Sequence, residues 1–237
     1  MKNLILTTLA TGAALILTTA PAKDKSAAAD AWIETLAPVE EVFTNIGRND
    51  FFILEPGYQC TFAGKEGGKK VDLIITVLDE TKTVAGVVTR IIEERESADG
   101  KLIEVSRNYF AIGAKSHHVY YFGEDVDMIK DGKIVSHEGA WLAGVDGAKQ
   151  GIVMPGENLL GAKYYQERAP KVAMDRAENV STNEVVKTPA GKFSHCLKVK
   201  ETTPLEPDNV GYKLYAPGVG LVDEGDLKLV KHGFVKK

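Results

Sequence analysis

Residues 83–137 read TVAGVVTRIIEERESADGKLIEVSRNYFAIGAKSHHVYYFGEDVDMIKDGKIVSH, and this stretch decides the fold class. Two dipeptides organise it. Asp99-Gly100 separates Thr83 to Arg95 from Leu102 to Ile112, both rich in β-branched and aromatic residues. Asp131-Gly132 separates Val126 to Lys130 from Lys133 to His137. Asp-Gly supplies the two successive left-handed positions of a tight two-residue turn. The stretch therefore predicts two antiparallel hairpins, with His117 to Phe122 as a further strand between them.

The same texture extends outward. Phe51 to Leu54 stops at Glu55-Pro56-Gly57, a turn signal. Tyr58 to Ala63 reads as a strand, Gly64 to Gly68 as a hairpin loop, and Val71 to Leu78 as a buried strand. Downstream, strand character returns at Ala162 to Arg168, Asn183 to Lys187, Phe193 to Thr202, Tyr212 to Tyr215, Gly220 to Val222 and Leu227 to Val230. Short strands that do not alternate with helices argue against a parallel α/β sheet. The expected fold is mainly β: a curved antiparallel sheet or a partial or closed β-barrel. One short N-terminal helix is expected within residues 30–47, where Trp32, Leu36, Val39, Val42 and Phe43 recur at spacings of three and four and Pro38 limits the run.

Composition fits a globular domain. The 237 residues are 44% hydrophobic and 26% charged, with a net charge of −4. That apolar content excludes general disorder, and the absence of a cationic excess argues against nucleic acid as a partner. Residues 1–22, MKNLILTTLATGAALILTTAPA, carry Lys2, an uncharged apolar run, and small residues at Ala20 and Ala22. This is the three-part pattern of a secretory signal peptide, too short and too Thr-rich for a stable membrane span. The chain is thus expected to be exported, to the periplasm or the medium. It divides into the signal (1–22), a lead-in with the short helix (23–50) and one β domain (51–237). Cys60 and Cys196 are the two cysteines. In an oxidising compartment they form either a disulfide, worth about 4–5 kcal/mol on the chain-entropy model, or two buried thiols.

Five motifs carry a resemblance: Tyr121-Phe122-Gly123-Glu124-Asp125, Gly144-Val145-Asp146-Gly147-Ala148, Leu205-Glu206-Pro207, Thr188-Pro189-Ala190-Gly191-Lys192-Phe193 and Tyr215-Ala216-Pro217-Gly218-Val219-Gly220-Leu221-Val222. On these the chain resembles a group of exported bacterial β-proteins of unknown function, over roughly residues 50–232. The resemblance implies a curved antiparallel sheet similar to periplasmic lipoprotein carriers. It implies no catalytic residue.

Residues 139–161 differ in texture, with Gly at 139, 144, 147, 151, 156 and 161. A Gly-rich stretch without period reads as a functional loop, here a flap over the concave face. Aromatic residues flank it, and neighbouring aromatics in a strand put one ring on each face. The expected function is non-enzymatic binding of a small apolar or lipid-like, amphipathic ligand. Tyr121, Trp141, Met154 and Tyr165 would make apolar contact, and Glu124, Asp146 and Glu167 would orient a polar group. Two alternatives stand beside it. Asp146 and Glu167 would act as the acid and base of a hydrolase if their carboxyl groups lie about 5–9 Å apart. His195 or Cys196 with Met154 or Met174 would hold a soft metal. Calcium held by loop oxygens from the acidic clusters, Glu124, Asp125 and Asp127, then Asp146, Glu167 and Asp175, and Glu206 and Asp208 beside Pro207, is a weaker reading, since no regular Asp-x-Asp spacing is present. There is no nucleophile elbow, zinc-protease or phosphate-loop motif, and no cofactor is expected.

Overall fold

The computed structural model describes Trp32 and residues 41–235, which form strands and turns without a helix. Three short strands lead: β1 (Phe43–Thr44), β2 (Gly47–Asn49) and β3 (Phe52–Leu54). Five longer ones follow: β4 (Tyr58–Glu66), β5 (Lys69–Val84), β6 (Val87–Ala98), β7 (Lys101–Gly113) and β8 (Val119–Lys130). Next come β9 (Lys133–Ser136), β10 (Trp141–Leu142), β11 (Lys149–Met154), β12 (Lys163–Tyr165) and β13 (Glu167–Arg168). The chain ends in β14 (Arg176–Thr188), β15 (Gly191–Thr203), β16 (Glu206–Ala216), β17 (Gly220–Glu224) and β18 (Leu227–Phe234).

The main sheet runs β12-β14-β15-β16-β17-β18-β4-β5-β6-β7-β8-β11-β13. Its two end strands are separated in the chain by Gln166 alone. One continuous segment therefore pairs with β14 on one side, Tyr164 opposite Ala177, and with β11 on the other, Gln150 opposite Glu167. The antiparallel sheet thus bends round into a nearly closed barrel. Gly151 permits that closure: a Cβ there would lie 2.1 Å from the Gln166 carbonyl oxygen.

Local chemistry sets the hairpins. Asp99 and Gly100 take φ of 49° and 76°, and Asp131 and Gly132 take 51° and 75°, as the Asp-Gly turns require. A further turn of the same kind lies at Ala85-Gly86, φ 49° and 81°. It corrects the expectation of one strand over Thr83 to Arg95: β5 continues to Val84, the chain reverses, and β6 begins at Val87. His117 to Phe122 and Val126 to Lys130 likewise merge into β8. That strand bends at Gly123, φ 126°, where a Cβ would meet the Trp141 carbonyl oxygen at 2.2 Å.

The expected helix meets the described residues only at Trp32 and at its C-terminal end. There Phe43–Thr44 is strand, with Phe43 opposite Gly113 and its ring edge-on to Tyr120 at 5.1 Å. An apolar i, i+3, i+4 pattern that short is compatible with either structure, and tertiary pairing decides. The rest of that span and the signal segment lie outside the described residues.

The β2–β3 hairpin ties one end of the barrel together. Asn49 Nδ2 donates to the carbonyls of His117 (3.1 Å) and Pro155 (3.2 Å), and Gly218 N donates to Asp50 O (2.7 Å). Leu54 and Phe62, both fully buried, join Leu229 and Val222 in the apolar core. Each such side chain contributes about 1.5–3 kcal/mol of burial. Cys60 and Cys196 are both buried free thiols.

The Gly-rich segment 139–161 is largely wall rather than flap. Trp141 pairs opposite Glu124, and β11 pairs with β8, Gly151 opposite Tyr121. Gly144 and Gly147 take positive φ at a turn, and Gly151 permits close backbone approach.

Candidate functional site

Strand alternation gives the barrel an acidic interior. On β5, Leu73 and Val77 are buried and face inward. Across the ladder Leu73 opposes Glu96, Ile75 opposes Glu94 and Val77 opposes Ile92. Glu94 and Glu96 therefore share the face of the core residue Ile92. β7 continues that face with Glu104, Ser106 and Asn108, and β8 adds Glu124 opposite Asn108. Glu96 and Glu104 lie towards the Asp99-Gly100 hairpin. Phe110, whose ring meets Phe52 at 5.3 Å, lies towards the β2–β3 hairpin.

The far wall supplies a cation. Lys213 on β16 has a side chain only 12% exposed, and its Nζ lies 3.1 Å from Glu201 Oε2 and 3.2 Å from Glu224 Oε1. Gln166 Nε2 donates to the other Glu201 oxygen at 2.9 Å. Burial opposes the Lys213 charge, but Glu201 and Glu224 more than offset it and hold the ammonium above the usual lysine range.

The remaining carboxyl groups are pushed the other way. Burial, reinforced by Glu224, raises Glu94 to about 8. Burial and the neighbouring Glu104 raise Glu96 to about 7. Glu124 rises through burial and Glu104, and Glu167 through burial and Asp175. These groups face one another from several strands, so each carboxylate makes the next harder to ionise.

Among the residues singled out in the sequence, Tyr121, Glu124, Trp141 and Glu167 come together here. The Tyr121 hydroxyl donates to Asn108 Oδ1, its ring stacks on Phe110 at 4.6 Å, and Trp141 meets it edge-on at 5.4 Å. Burial, then Glu124 and Glu167, hold the Tyr121 phenol well above its usual range, so it remains a neutral donor. Glu167, on β13, is buried.

Three expected contacts lie elsewhere. Asp146 occupies an exposed turn with φ 48°, so it does not share the interior with Glu167. The carboxyl groups acting on Glu167 are Asp175 and Glu124. Met154 is fully buried in the core opposite Val119. Tyr165 sits on the other face from Tyr164, with its ring 6.2 Å from Trp32.

His195 is exposed and bonded to Asn183 at 2.9 Å, whereas its neighbour Cys196 is fully buried on the opposite face. In the acidic run, Glu124 turns inward, Asp125 pairs with Lys82 at 2.9 Å, and Asp127 meets His137 at 3.0 Å. Among the described residues no three His, Cys, Asp or Glu side chains are grouped to hold a metal ion.

Sequence reasoning missed Glu94, Glu96, Glu104, Glu201, Lys213 and Glu224. A signal was present on β6, where Ile92, Glu94 and Glu96 share one parity, so a core face turns acidic within the strand. Comparison with known proteins returns no match, whether to family models, curated proteins or solved structures.

Proposed function

We propose that this chain is an exported, non-enzymatic binding protein whose barrel interior holds a small amphipathic ligand, acting in the periplasm or the medium. The observation that carries the reading is the mixed interior. Leu73, Ile75, Val77 and Phe110 offer apolar surface, while Glu94, Glu124 and Glu167 bring carboxyl groups held above their ordinary range onto the same inward face. A purely structural core gains nothing from carboxyl groups that burial penalises, and such groups cluster where a polar partner is to be met. The aromatic pair Tyr121 and Trp141 borders both kinds of surface.

The test uses the purified full chain and Nile red, a neutral amphiphilic dye. Saturable enhancement of its emission, at one dye per chain, is the expected result. Ser106→Phe fills the interior beside Asn108 and is expected to abolish the enhancement while far-UV circular dichroism retains its β signature. No enhancement with the wild-type chain, or equal enhancement with the filled variant, overturns the reading.

A further inference from the structure

The interior polar groups are unequally matched. Lys213 is engaged by Glu201 and Glu224. Glu124 is engaged by the Tyr121 hydroxyl and Glu167 feels the Lys213 charge, but no ion pair joins either to a described residue. A second, independent observation lies next to them. Trp141 is 6% exposed, and its indole Nε1 has no hydrogen-bond partner. Trp141 stands opposite Glu124 in the β8–β10 ladder, so both side chains leave the same face of the sheet, and its ring meets Tyr121 inside the barrel. Burying an N–H donor without a partner costs free energy, and the Trp nitrogen normally finds one.

We propose that the ligand is an organic ammonium compound carrying an oxygen acceptor beside its charge. The ammonium donates to the Glu124 and Glu167 carboxylates, the oxygen accepts from Trp141 Nε1–H, and the apolar remainder lies along Phe110 towards Phe52. The faces of Tyr121 and Trp141 add the attraction of an aromatic ring for a cation. A ligand with both groups gives the orphan donor an acceptor and the two carboxyl groups a cation. An anion would be repelled, and a neutral alcohol would bring the carboxyl groups no opposite charge. This inference rests on the interior-binding reading above.

Four eight-carbon probes separate the possibilities by calorimetry at pH 8 on the full chain: 1-amino-2-octanol, octylamine, octane-1,2-diol and 2-hydroxyoctanoate. The amino alcohol is expected to bind most tightly and the hydroxy acid least. Glu124→Gln and Glu167→Gln should each weaken both amines about tenfold and leave the diol unchanged. Trp141→Phe should weaken the amino alcohol and the diol about fivefold and spare octylamine. Both Gln variants remove a buried charge, and thermal melts report whether each remains folded. If the diol or the hydroxy acid binds as tightly as the amino alcohol, the ammonium assignment is overturned while interior binding stands. If Trp141→Phe leaves all affinities unchanged, the oxygen contact is overturned. If no probe and no Nile red binds, the interior reading itself falls.

Discussion

Replacing Lys213 with Met tests whether the interior charges are organised as described. Lys213 is the cation between Glu201 and Glu224, at 3.1 and 3.2 Å, and the two carboxyl side chains are 19% and 18% exposed. Met keeps most of the volume but removes the charge. Glu201 retains the Gln166 amide, whereas Glu224 Oε2 already lacks a hydrogen-bond partner and would lose the pairing of Oε1 as well. Breaking a buried pair by removing one partner costs about 3–5 kcal/mol, because the other charge is left uncompensated. For a chain of this size that amounts to a fall of roughly 6–20 °C in Tm. Rescue carries the sharper test. Urea unfolding of both proteins at pH 8 measures the deficit, and the triple variant K213M/E201Q/E224Q should recover most of the loss, because neutral amides leave no uncompensated charge. A deficit below about 1 kcal/mol, or no recovery in the triple variant, would refute the charge organisation.

Three further outcomes follow from the same geometry. Glu94, raised to about 8 by burial and Glu224, makes the wild-type protein lose stability as pH climbs from about 4.5 through 8, so Glu94→Gln should be more stable than wild type by roughly 1–3 kcal/mol at pH 8.5 and equal to it at pH 4.5, as read by thermal melts at the two pH values. Gly151→Ala places a Cβ 2.1 Å from the Gln166 carbonyl oxygen and should cost about 3 kcal/mol, with faster amide exchange in β11 and β13 than in β5. Tyr121→Phe leaves Asn108 Oδ1 without its donor and should cost about 1–2 kcal/mol in urea unfolding, with little change in slope.

The parts of the fold legible in the sequence are those set locally. Asp99-Gly100 and Asp131-Gly132 specify their turns through backbone conformations that few other dipeptides accept, so both hairpins follow from four residues. Ala85-Gly86 adopts the same geometry with Ala in a left-handed position, which tertiary pairing of β5 with β6 imposes against local preference, and no dipeptide rule reveals it. A closed barrel stood among the expected folds, but the strands that close it were equally hidden. Closure depends on 163–168 meeting β14 with one half and β11 with the other, and on Gly151 admitting the Gln166 carbonyl. Six glycines in one segment suggested mobility, but those at 144, 147 and 151 serve turns and close packing in the wall. Within the site, Tyr121, Glu124, Trp141 and Glu167 stood out because aromatic and acidic residues are adjacent in sequence. Lys213 and Glu94 did not, since a charged residue in a strand reads by default as solvent-facing. Tyr165 failed by parity: Tyr164 takes the inward position, and its neighbour faces the other way.

The interior carboxyl groups also bear on why this barrel would retain them. Replacing one of these Glu side chains by Gln removes the repulsion of Glu224 on Glu94, or of Asp175 on Glu167, with little change of volume. On stability alone, such substitutions gain. The apolar alternation that continues along β5 through Leu73, Ile75 and Val77 shows that this register accommodates aliphatic side chains, yet Glu94 and Glu96 stand directly across from Ile75 and Leu73. A fold that sets charge against such neighbours spends stability where contact with a partner repays it. The repayment has a definite form: a bound cation would let Glu124 and Glu167 ionise inside the barrel, so occupancy should release protons near pH 7 and remove their share of the loss of stability that accompanies rising pH, leaving the share of Glu94.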